Sequence, residues 1–96
     1  MEVKPVRTRA KEIQDRFFQA LDLLIDTKKI DSLQSFCECY DLHRPKYSTL
    51  RSKFNDNIQR ESGYKFIDID SISYLVSDYK VSAEWLLLGK GKIFKH

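Results

Sequence analysis

Apolar residues recur along this chain at spacings of three and four, in runs separated by short polar breaks. Ile13, Phe17, Leu21, Leu24 and Ile25 form the longest run, widened by Phe18 and Ala20, and predict a helix from about Arg9 to Lys29. Lys28 and Lys29 close it with cations, which suit the negative end of the helix dipole. Ser32 is placed to cap a second helix that runs to about Tyr40, with Phe36 and Tyr40 on one face. Asp41-Leu42-His43 makes a turn, and Leu42 plugs the angle behind it. Pro45 lacks an amide hydrogen, which costs nothing only in the first turn of a helix, so it marks a third helix reaching about Lys53. Tyr47 and Leu50 share the inner face of that helix. Asn55, Asp56, Asn57, Ser62 and Gly63 predict a polar loop, after which Tyr64, Phe66 and Ile67 return the chain to the core in an extended piece. Asp68 or Asp70 caps a fourth helix whose apolar face is Ile72, Leu75, Val76 and Tyr79. After a turn at Val81, Ser82 caps a fifth helix that buries Trp85, Leu86 and Leu88, and Gly89 supplies a left-handed stop. The pattern holds no repeat and no strand-rich stretch. It predicts a compact all-α domain of five helices.

Ninety-six residues, 42% hydrophobic and 32% charged, suit one globular domain with a single core. No apolar run approaches the roughly 20 residues that span a bilayer, so no membrane partner is expected. Met1–Ala10 carries bases without an apolar segment behind them, which argues against a secretory signal and for a cytoplasmic protein. Cys37 and Cys39 lie two apart on a helix and point in different directions, so they neither pair nor build a zinc site. His43 and His96 are the two histidines, and no triad or metal cluster forms around them. Gly89-Lys90-Gly91-Lys92 follows a helix instead of leading into one, so it is no phosphate loop. Neither catalysis nor a metal or other cofactor is expected.

The distribution of charge changes the picture more than its sum of +3. Positive charge gathers in residues 1–11, 43–53 and 89–96, while residues 12–42 and 55–88 are net acidic. The middle block holds Arg44, Lys46, Arg51 and Lys53 without an acid, and it coincides with the third helix. Arg44, Lys46, Ser48, Thr49, Ser52 and Lys53 face outward there. Long cations and small hydroxyls are the groups that reach phosphates and base edges in a major groove, so the pattern suits double-stranded DNA.

The two-helix turn of residues 33–53 and the segment from Val81 to Phe94, with its Trp85-Leu86-Leu87-Leu88-Gly89-Lys90-Gly91 core, together resemble the lambda-repressor-like helix-turn-helix family. The likeness is to small bacterial and phage regulators and covers about residues 13–94. It implies a basic arm at 1–8, a helix-turn-helix at 32–53, a loop at 54–67, helices 4 and 5 at 68–89 and a basic tail at 90–96. It also implies that Phe36, Tyr40, Leu42, Tyr47 and Leu50 are buried framework. Cys37 stands where the family prefers a small residue, and Asp41 stands where it favours glycine. Pro45 stands where a polar reader is common.

On this basis Arg44 is expected to contact a base, with Lys46 on a base or a phosphate and Ser48 and Thr49 on nearby edges. Gln34, at the start of the second helix, is expected to anchor a phosphate. Arg51, Lys53 and Asn55 are expected to clamp the backbone, beside His43 and Ser52. The expected function is a sequence-specific transcriptional regulator. The alternative is a protein-interaction module of the same fold, such as an antitoxin or adaptor subunit. Leu87, Ile93 and Phe94 offer apolar surface either for a homodimer or for completing the monomer core.

Overall fold

A computed structural model of the chain describes residues 9–56 and 66–95, with the side chains of 53–56 outside the description. The expected arm at 1–8, the loop residues Asn57 to Tyr64 and the terminal His96 lie outside the described residues. Five helices follow in order: α1 (Arg9–Asp26), α2 (Leu33–Cys39), α3 (Arg44–Asp56), α4 (Ile69–Tyr79) and α5 (Ala83–Leu88). The expected all-α class is what the described residues show. Their one extended pairing is an isolated antiparallel bridge between Val81 and Phe94.

The core sits on the inner face of α1, where Phe17, Phe18, Ala20, Leu21 and Leu24 are fully enclosed. Phe17 meets Phe18 edge-on at 5.1 Å between ring centres. It also touches Phe36 of α2 and Tyr47 of α3, each at 6.2 Å. α1 therefore packs against both α3 and α5, while α2 packs on α3. Aromatic rings of this size dominate the burial in so small a core.

Each helix ends for a local reason. Ser32 Oγ accepts the Ser35 amide at the head of α2, and Ser82 Oγ accepts the Trp85 amide at the head of α5. Gly89 closes α5 with φ +74°. Arg16 of α1 adds a second closure by donating to the carbonyls of Leu86 (2.8 Å) and Leu87 (3.1 Å), the negative end of α5. Gln14, also buried, accepts the Ile67 amide at 2.8 Å and so fixes the approach to α4.

Four expectations need correction. α1 ends at Asp26, before Lys28 and Lys29, because Lys28 turns left-handed (φ +64°) and the Lys29 amide folds back to the Leu24 carbonyl. α3 runs three residues past Lys53, to Asp56. Leu88 is 54% exposed, because α5 is only six residues long and turns Trp85 and Leu86 inward instead. Phe66 is 45% exposed, and Ile67 alone of that pair packs on the core. Ile93 and Phe94 also pack partly against the core, beside the buried Val81.

Burial at Phe17 and exposure at Leu88 predict opposite outcomes for truncation. Phe17→Ala is expected to remove about 3–5 kcal/mol of stability in urea unfolding. Leu88→Ala is expected to stay within about 0.5 kcal/mol of the parent.

Candidate functional site

The α2–α3 elbow is built from a short sequence. Asp41 takes a left-handed backbone (φ +56°), and the Leu42 amide returns to the Cys37 carbonyl at 2.8 Å. This is the hydrogen-bonded closure that usually recruits glycine. Aspartate tolerates the conformation better than most residues, so the elbow forms without one. His43 then accepts the Lys46 amide at 3.1 Å and the Tyr47 amide at 3.3 Å, which starts α3. Pro45 is the second residue of that helix, where no amide partner is missed.

Two buried side chains set the rotation of α3. Tyr47 and Leu50 point into the core, which turns Arg44, Pro45, Ser48 and Ser52 to solvent. Arg44, Ser48 and Ser52 follow one another at four-residue spacing and so form one exposed line along the helix. Thr49 is half-buried beside that line, and His43 is exposed at its head. The side chains of Lys53 and Asn55 lie outside the described residues.

The other expected contacts are already engaged within the chain. Lys46 Nζ pairs with Asp68 Oδ1 at 2.8 Å, and Tyr47 donates its hydroxyl to Asp68 Oδ2 at 2.8 Å. Arg51 closes on Asp22 of α1, with Nε at 2.9 Å and a terminal nitrogen at 2.8 Å from the same oxygen. Gln34 donates to Glu38 at 3.0 Å, one turn along α2. Arg44 forms no ion pair or hydrogen bond among the described residues. The structure thus sorts the basic block into Lys46 and Arg51, which tie α3 to its neighbours, and Arg44, which stands open.

Electrostatics follow from these contacts. Hydrogen bonds from Lys46 and then Tyr47 hold the Asp68 carboxyl below the usual carboxylate range against a smaller effect of burial, and the Lys46 and His43 charges help. Burial pushes the Tyr47 hydroxyl up, and the Asp68 carboxylate adds to that. Burial likewise raises the Cys37 thiol, with the Arg44 charge opposing, and this packed thiol lies on the α2 face that meets α3. At the C-terminal end of α2, Tyr40 stacks on Tyr74 of α4 at 4.2 Å and donates to Asp78 at 2.6 Å.

Asp22, Asp68, Tyr74 and Asp78 were not part of the sequence-based set. Asp68 is 22 residues from Lys46 and Asp22 is 29 from Arg51, so no local pattern announces either pair. Among the described residues, no group of three or more His, Cys, Asp and Glu side chains is placed to hold a metal ion. No helix there is long and apolar enough to cross a membrane.

Two measurements check this geometry. Asp41→Gly is expected to raise stability by about 0.5 kcal/mol, because a left-handed penalty of roughly 1–2 kcal/mol outweighs the added chain entropy of about 0.4–1 kcal/mol. Asp41→Val is expected to lower it by more than about 1 kcal/mol. Asp68 has a lowered folded-state pKa, so its pair stabilises the fold above the unfolded carboxylate value of 3.8 and fades as pH falls through the folded value. The stability gap between the parent and Asp68→Asn is therefore expected to be constant at neutral pH and to close below about pH 4. At this exposure the gap amounts to roughly 0.2–1 kcal/mol.

No protein-family model, curated protein or solved structure matches this chain.

Proposed function

We propose that this chain is a sequence-specific double-stranded DNA-binding regulator of the lambda-repressor-like helix-turn-helix kind, with α3 as the helix that enters the major groove. The observation that carries this reading is the outer line of α3. Arg44, Ser48 and Ser52 lie exposed on a helix that has no acid before its final residue, Asp56. The short α2, the left-handed turn at Asp41 and the inward Tyr47 and Leu50 support it, since they hold α3 against the body at a fixed rotation with its outer line exposed.

Each exposed group has a role on a duplex. The Arg44 guanidinium, at the head of α3, can donate two parallel hydrogen bonds to one guanine edge. Ser48 and Ser52 are short, so they reach bases or phosphates only where the helix already lies close. His43 and Gln34 flank the head of α3 and the start of α2, where backbone contacts fix register. Lys46 and Arg51 act first as the ties that hold α3, and they reach phosphate only by exchanging partners. Direct readout thus narrows to Arg44 and the serines, a small set that favours a short site.

Leu87 (41% exposed) and Leu88 (54%) are adjacent on α5 and favour a second component of the reading. In a regulator they supply the contact between two copies on a two-fold site. In a protein-interaction module they would meet a different protein, and α3 would bind no DNA.

Selection from a randomised duplex pool followed by a salt titration tests the proposal. Arg44→Ala is expected to weaken binding to the selected site by about 5- to 150-fold, corresponding to roughly 1–3 kcal/mol for one paired base contact. Binding should fall steeply with salt. A Lys90→Ala/Lys92→Ala variant is expected to retain the site preference. Loss of binding in the tail variant with none in Arg44→Ala would overturn the assignment to α3. A folded protein that binds no duplex at low salt would favour the interaction module.

A further inference from the structure

Asp68 occupies two positions of consequence at once. Its backbone (φ −81°, ψ 146°) is that of the residue capping α4, yet its side chain makes no capping bond. That side chain instead crosses to α3, where it takes the Lys46 ammonium and the Tyr47 hydroxyl, one on each oxygen. The amide of Asp68 donates to the same Tyr47 hydroxyl at 3.1 Å. One carboxylate thus has two competing uses, to cap α4 or to hold α3.

The chemistry that Asp68 satisfies is that of a phosphate. Lys46 Nζ meets an anionic oxygen that a DNA backbone phosphate can replace, while the fully buried Tyr47 hydroxyl stays on Asp68 Oδ2. Both partners are reachable, since the Asp68 side chain is 44% exposed and that of Lys46 20%. An ion pair this open to water exchanges partners readily.

We infer that Asp68 is an internal stand-in for a DNA phosphate and sets the affinity of α3 by holding Lys46 until a duplex displaces it. The inference rests on the DNA-binding function proposed above. In the free protein Lys46 is neutralised and α3 presents Arg44 as its one open cation among the described side chains. When a backbone phosphate takes Lys46, Asp68 Oδ1 is left to water while Oδ2 keeps the Tyr47 hydroxyl, so neither the carboxylate nor the buried phenol is left unsatisfied. Weak, non-specific encounters are thereby penalised, because every phosphate contact at Lys46 must first break an existing pair.

The test is a cycle of Asp68→Asn and Lys46→Gln, with Asp70→Asn as the charge control and Arg44→Ala as the marker for α3. Binding of the full chain to a short random-sequence duplex is read by fluorescence anisotropy. Asparagine keeps the capping capacity and an acceptor for Tyr47, and circular dichroism confirms folding. Asp68→Asn is expected to tighten binding by about two- to five-fold beyond Asp70→Asn, the range of one exposed ion pair. Lys46→Gln should cost more in the Asp68→Asn background than in the parent. A gain no larger than that of Asp70→Asn, or one that persists without Lys46, would overturn the inference while leaving the Arg44 effect intact. Binding unaffected by Arg44→Ala in every variant would overturn the DNA-binding proposal and the inference together.

Discussion

Tyr47 is the side chain on which the placement of α3 depends. Its ring is completely buried and meets Phe17 of α1, while its hydroxyl reaches the Asp68 carboxylate at the head of α4. One residue therefore fixes α3 against two other helices, one by apolar contact and one by hydrogen bonding. A buried phenol needs a partner for its hydroxyl, and Asp68 answers that need with both its carboxylate and its amide. The rotation of α3 follows. With Tyr47 and Leu50 inward, the line Arg44–Ser48–Ser52 has to face solvent.

The basic block of residues 43–53 divides according to the same geometry. Arg51 reaches back to Asp22 and Lys46 reaches across to Asp68, so two of its cations brace the helix that carries them. Both pairs are partly open to water, where a single pair contributes roughly 0–1 kcal/mol, and their value is orientation more than stability. Arg44 is left as the open cation at the head of α3. Under the proposed function, a reader with so few free groups draws its selectivity from exact placement of one guanidinium, which is what the braces supply.

Local features of the fold were legible in the sequence. Ser32 and Ser82 cap as their positions suggest, Gly89 closes α5, and Pro45 marks the first turn of α3, because each effect involves residues within a turn or two. Helix ends without glycine were harder. Lys28, Asp41 and Lys80 all adopt positive φ, and only Asp41 carried a residue-level hint. The end of α1 was therefore set too late, at a pair of lysines that belong to the turn. Leu88 reads as core by composition, yet a six-residue helix cannot bury every leucine in its run. The long-range ties were invisible: Gln14 to Ile67, Arg16 to Leu86, Lys46 to Asp68 and Arg51 to Asp22 join residues whose proximity only the packed helices create. The candidate contact set was correspondingly too generous to Lys46 and Arg51, since charge alone does not reveal a distant partner.

The account's central claim is that the open line of α3 meets duplex DNA. The most direct measurement is an amide chemical-shift titration of the isotopically labelled chain with a short duplex. The account predicts that the largest shifts fall from His43 to Ser52 and at the start of α2 near Gln34. Shifts confined to the basic segments at 1–11 and 89–96, with α3 unchanged, would contradict it.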